Sequence, residues 1–226
     1  MNNRPSRADG EATRERVMWT ALKLFSERGI DAVSTRDIVT AAGARVNAAA
    51  IHYHFGSKGN LVRELIRSCF EAITALESQS FEGLEAEADP TPRQVVTALV
   101  RPMKQLAADK RGRQMVGFLL ETWRHPDYMD LHQSYEEPME RRRLVAIQRS
   151  VPHLPLEKQI VWAIVVSGIA ARFIANGEID TLARALAPPG VDIDVEQAVM
   201  DFLTSALTEQ GERRPARSRG GKGSAR

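Results

Sequence analysis

Residues 34–58, STRDIVTAAGARVNAAAIHYHFGSK, hold two short helical patterns and a glycine in a span too small to form a core of its own. Such a span folds only against further helices. Ser34 or Thr35 can cap a helix carrying Val39 and Ala42, with Arg36 and Asp37 in its first turn. Gly43 follows the last apolar position, where a left-handed C-cap residue is expected. A second helix is expected from Val46 to His54, with Ala49, Ala50 and Tyr53 spaced to meet the first. Small residues let two helices cross closely, as a helix-turn-helix requires. This placement leaves Asn47, Ala48, Ile51, His52 and His54 for the outer face. Lys58, just past Gly56 and Ser57, opens another helix, where backbone N–H groups can also meet a phosphate.

Thr35, Asp37, Ile38, Ala42, Gly43, Ala50, Ile51, Tyr53, Phe55, Ser57, Lys58 and Leu61 together resemble the DNA-binding half of the TetR family of transcriptional regulators. The likeness in letters spans about residues 11–70. Ala44 and Arg45 depart from the family pattern as a two-residue lengthening of the turn, and one residue separates the aromatics Tyr53 and Phe55. The resemblance implies an all-α fold: a three-helix helix-turn-helix head, joined by a connecting helix to a larger helical body for ligand binding and dimerisation. It implies DNA contacts from Thr35, Arg36, Arg45, Asn47, Ala48, His52, Tyr53, His54 and Lys58. Thr35, Tyr53, His54 and Lys58 would hold phosphates, and Arg45 would reach a base or a phosphate. Asn47 and His52 suit base reading, since an amide pairs with adenine and imidazole with a guanine acceptor.

Charge distribution agrees with a nucleic-acid partner at one end. The net charge of +2 divides into +3 over residues 1–58, +5 over residues 211–226 and −6 over the stretch between. Basic ends around an acidic middle fit a protein that meets DNA with its head. A composition of 43% hydrophobic and 27% charged residues suits a globular chain with a sizeable core. The single cysteine, Cys69, excludes a disulfide framework and suits a reducing, cytoplasmic setting. No apolar run is long enough to span a bilayer, so no membrane partner is expected.

Helical spacing then divides the chain into an arm (1–10), a head (11–56), a body (57–210) and a basic, low-complexity tail (211–226) expected to be disordered. The first helix is expected from Glu11 to Arg28 on Val17, Ala21, Leu24 and Phe25, with Trp19 free to pack on the body. Leu61, Leu65, Cys69, Ile73 and Leu76 predict a connecting helix from Ser57 to Gln79, and SFEGLEAEADPTP reads as a boundary loop. Further helices are expected over Pro92–Asp109, Arg111–Arg124, Tyr128–Ser150, Glu157–Asn176 and Val195–Glu209. Pro102 and Pro138 would kink or bend two of them.

No Walker loop, GxGxxG, GxSxG or HExxH occurs, and Cys69 lies on an apolar stripe. No catalytic residue and no cofactor are therefore expected. His52 and His54 stand two apart on a helix and point to opposite sides, so they are not expected to share a metal ion. Arg141, Arg142 and Arg143 read as a solvated face. Met103, Met115, Phe118, Leu119, Trp123 and Tyr128 would line an effector pocket or else fill a packed core. Ile160, Ile164, Gly168 and Ala171, with Val199, Phe202 and Leu203, are the expected dimer face. The expected whole is a homodimeric, ligand-responsive repressor on an inverted-repeat operator. The competing reading gives the same head a body that binds a protein partner instead of a small effector.

Overall fold

Where apolar residues recur at helical spacing, the chain is helical. The computed structural model describes residues 7–43, 46, 48–169, 178–188 and 190–208, and every regular element among them is a helix, with no strand. The order is α1 (Arg7–Arg28), α2 (Thr35–Ala42), α3 (Ala48–Phe55), α4 (Lys58–Ala86), α5 (Pro92–Ala107) and α6 (Lys110–Thr122). A 3-10 turn (Pro126–Tyr128) leads into α7 (Met129–Ser150), α8 (Leu156–Ile169), α9 (Glu178–Leu186) and α10 (Val195–Thr208). Ala44, Arg45, Asn47 and Ala171, residues 1–6 of the expected arm and the tail lie outside the described residues, and residues 7–10 of that arm open α1 instead.

Side-chain caps fix where several helices start. Ser34 accepts from Asp37 N, and the Asp37 carboxylate accepts from Ser34 N at 2.8 Å, a reciprocal pair that sets the first turn of α2. Thr91 and Gln94 repeat the arrangement on α5. Asp109 caps α6 through Gly112 N at 2.8 Å. At Gly112 a Cβ would stand 1.5 Å from the Leu106 carbonyl oxygen, so the α5–α6 corner requires glycine.

Two apolar clusters hold these helices. In the first, Val17, Leu22 and Phe25 of α1 meet Ile38, Ile51, Phe55, Leu61 and Leu65. The cluster runs on past the turn at Gly56: Met103, Val116, Phe118 and Met139 belong to it, and Phe118 stacks on Phe25 at 6.0 Å. The second gathers Phe81, Val96, Ile147, Val166, Leu203 and Leu207 from α4, α5, α7, α8 and α10. Each such side chain stabilises by about 1.5–3 kcal/mol when fully buried, so packing outweighs helix propensity in holding the array.

Several elements differ from the sequence-based expectations. α4 continues through SFEGLEA to Ala86, because Phe81 and Leu84 extend its buried stripe onto α5. α5 and α7 run unbroken through Pro102 and Pro138. There the buried faces of both helices offset the one backbone hydrogen bond each ring removes. α9, between Gly177 and Val195, was not expected from the spacing. The arginine run is not a solvated face. Only Arg141 is largely exposed. Arg142 donates to Glu85 and Ser78, and Arg143 is turned inward.

Candidate DNA-reading face and body cavity

In α3 the bulkier apolar residues decide which side turns inward. Ile51 and Phe55 are buried and Ala50 is half-buried, whereas Ala49, His52 and Tyr53 face solvent. Tyr53 is 84% exposed. This corrects the expected packing of Ala49 and Tyr53 against the first helix, and the expected outward Ile51. Burying isoleucine and phenylalanine removes far more apolar area from water than burying alanine does, so the helix turns toward the bulk. Gly43 adopts φ +89° at the end of α2, and Val46 N donates to Gly43 O at 2.9 Å, bringing buried Val46 into the turn.

Thr35 and Arg36 lie exposed in the first turn of α2, and His52 and Tyr53 are exposed on α3. His54 is half-buried, its ring edge-on to Tyr53 at 5.0 Å. The Asp37 carboxyl is held below its usual range by the hydrogen bonds from the Ser34 hydroxyl and backbone. Arg45 and Asn47 fall outside the described residues, as does the side chain of Ala48. Lys58 is placed otherwise than expected. Its ammonium donates to the Ile30 carbonyl at 2.7 Å over the Phe25 ring, tying α4 to the α1–α2 connection.

Between α4, α5, α6, α7 and α8 lies a cavity of about 540 Å³. Met103, Leu119 and Trp123 line it, with Phe70, Ile73, Leu99, Val116, Leu120 and Met139. Three residues expected there do not. Met115 and Phe118 are spent in the core between α1 and α6, and Tyr128 packs under the Arg63 guanidinium outside it. One end is charged: Glu136, Glu140, Arg143 and Ser167 line it. Arg143 Nε donates to Glu77 Oε1 at 2.6 Å, and burial pushes the Glu77 carboxyl up, the Arg143 charge offsetting this in part. Buried His132 sits between Thr122 Oγ1 (2.7 Å) and Glu136 Oε1 (3.2 Å).

The charged end was missed, although its signal was present. His132, Glu136, Glu140 and Arg143 recur at helical spacing on α7, and Glu77 interrupts the buried stripe of α4 between Ile73 and Phe81. Ile164 and Gly168, expected on the dimer face, also line the cavity from α8, and a Cβ at Gly168 would meet open space. Ile160 and Phe202 are exposed, at 39% and 66%. Leu203, in contrast, is buried in the second cluster, with Val199 packed partly against it. Leu203 belongs to the protomer's own core, because α10 turns that side onto α5. Cys69 is buried, and loss of solvent raises its thiol pKa, so it is a packing residue.

A capped helix, a glycine turn and a second helix with an exposed polar face define a helix-turn-helix protein with an all-helical body. Residues 18–65 match the family of bacterial regulatory proteins named tetR. The chain is 24% identical over 204 residues to the HTH-type transcriptional regulator AcrR of Shigella flexneri, spanning 90% of this chain and 92% of that one. It is 31% identical over 60 residues to the biofilm operon negative regulator IcaR of Staphylococcus aureus (strain Newman), covering 31% of that protein. The crystal structure of a TetR-like regulator from Rhodococcus sp. RHA1 shares the fold at a TM-score of 0.64 and 17% identity, over 93% of this chain and all of the other. Residues 18–65 thus carry a tetR-type helix-turn-helix, and over most of its length the chain is similar to DNA-binding regulators of transcription. No helix among the described residues is long and apolar enough to cross a membrane.

Proposed function

We propose that the protein is a homodimeric repressor that binds an inverted-repeat operator and releases it when a small effector enters the body cavity. Residues 11–56 would form the reading head and 57–210 the body. The observation that carries this reading is the cavity itself, whose walls on α4 and α6 share one apolar cluster with α1. An effector that favours one position of those helices biases the head through continuous packing, provided its affinity differs between the two states. A cleft of this size, walled mostly by apolar side chains, suits a small effector.

The exposed apolar residues support the dimer. Leu156, Ile160, Val161, Ile164 and Val165 on α8, Leu182 and Leu186 on α9, and Phe202 on α10 all face solvent in the single chain. Exposed apolar area on this scale marks an interaction surface, and a second copy would bury it isologously. The outward side of α3 would enter the major groove, His52 reading a base and Tyr53 a phosphate.

Selection of bound DNA from a random library tests the reading. An inverted repeat is expected, bound by a dimer, with affinity falling steeply as salt rises. Tyr53→Phe should weaken binding to all sequences alike, and His52→Ala should relax preference at one position per half-site by roughly 1–3 kcal/mol. A single asymmetric site occupied by a monomer would overturn the reading.

A further inference from the structure

The charges at the end of the cavity specify what it can hold, an inference that rests on the cavity's being the effector site. Arg143 Nη1 donates to Glu140 at 2.6 Å and to Ser167 Oγ at 2.8 Å, while its Nε serves Glu77. One guanidinium thus answers two carboxylates. The neighbouring Arg142 is engaged by Glu85, and the third carboxylate, Glu136, faces His132. Glu77 Oε2 and Glu140 Oε2 are both buried with no hydrogen-bond partner among the described residues. Unpartnered buried acceptors of this kind are costly, and a charged donor relieves them most. Burial also raises the Glu77 pKa, which a second cation nearby would oppose as Arg143 does. The rest of the wall is apolar and includes the Phe70 and Trp123 rings, whose faces tolerate a cation.

We propose that the cavity takes an organic cation: a protonated amine on a flat apolar body, its N–H groups directed to Glu140 Oε2. The body lies among Met103, Leu119 and Trp123. With Glu140 so occupied, Arg143 is released to pair with both oxygens of Glu77.

Three probes of one shape test this by calorimetry on the full chain at neutral pH: 1-naphthylmethylammonium, 1-naphthylmethanol and 1-naphthylacetate. The ammonium should bind at least about tenfold more tightly than the alcohol, the scale of one charge-assisted hydrogen bond, and the acetate weakest. Glu140→Gln, near-isosteric, should bring ammonium and alcohol to within about threefold while the alcohol's affinity holds. The probe series on the unmodified protein decides the matter even if that variant folds poorly. Binding of the alcohol with no preference for the ammonium, or tightest binding of the acetate, overturns the cation and leaves the effector cavity standing. Failure of all three to bind removes the cavity reading and the cation with it.

Discussion

The head and the body bury their surfaces by different chemistry. Around α1, α2 and α3 the buried residues are apolar, and the polar contacts stay at the rim: the Ser34–Asp37 pair, Lys58 on the Ile30 carbonyl, and Arg14 on Glu64 at 2.6 Å. The body gathers a guanidinium, two carboxylates and a histidine beside a cavity, with Glu77 and His132 buried. An apolar core fixes one shape. A buried charged cluster beside empty volume costs stability and provides something for a ligand to complete.

The largest expected effect breaks that contrast at its centre. Arg143→Leu leaves Glu77 and Glu140 without their cation, and loss of one partner of a buried pair costs about 3–5 kcal/mol. Urea unfolding at neutral pH should show it, and adding Glu77→Leu should restore part of the loss. If the double variant is no more stable than the single one, the cluster is not held by charge. Next in size is Gly112→Ala, whose methyl collides with the Leu106 carbonyl. Backbone cannot swing away as a side chain can, so a loss near the upper end of roughly 1–3 kcal/mol is expected. Ser34→Ala, in the head, should cost about 1 kcal/mol by removing the α2 cap. Thermal melts rank all three, and a head substitution more damaging than Arg143→Leu would reverse the comparison.

The contrast also explains which parts were legible. The head's signals are local: a cap three residues from its partner, a glycine at a positive φ, apolar residues four apart. Those suffice for most of α1, for α2 and for the positive φ of Gly43. They mislead on the rotation of α3, where small residues suggested a close crossing and Ile51 and Phe55 took the inward side, and on Lys58, which turns to the Ile30 carbonyl. In the body the deciding contacts join distant stretches. Glu77 and Arg143 are 66 residues apart, and although each stands out in its own helix, neither neighbourhood shows that the other is its partner. α4 reaches Ala86 because Phe81 has α5 to bury against, and Phe118 leaves the cavity wall because Phe25 is there to stack on.

The smallest effects are in pH dependence, where one carboxylate from each region should slope oppositely. Asp37 is solvent-facing, and the hydrogen bonds from Ser34 lower its pKa below the usual value of 3.8. A depressed carboxylate contributes stability that is present above the unfolded value and lost as pH falls through the folded one. The unmodified protein should therefore lose ground to Asp37→Asn only as pH drops below about 4. Burial raises Glu77 above its usual 4.5, so the folded state binds the proton more tightly than the unfolded state. Stability linked to that proton is present in acid and declines as pH rises past 4.5 toward the raised folded value. The unmodified protein should then lose ground to Glu77→Gln as pH increases through that window. Urea midpoints of the three proteins from about pH 3 to 7 give both differences in one series. Parallel slopes would mean that Glu77 is as well solvated as Asp37, and that the body does not enclose its charges as the head excludes them.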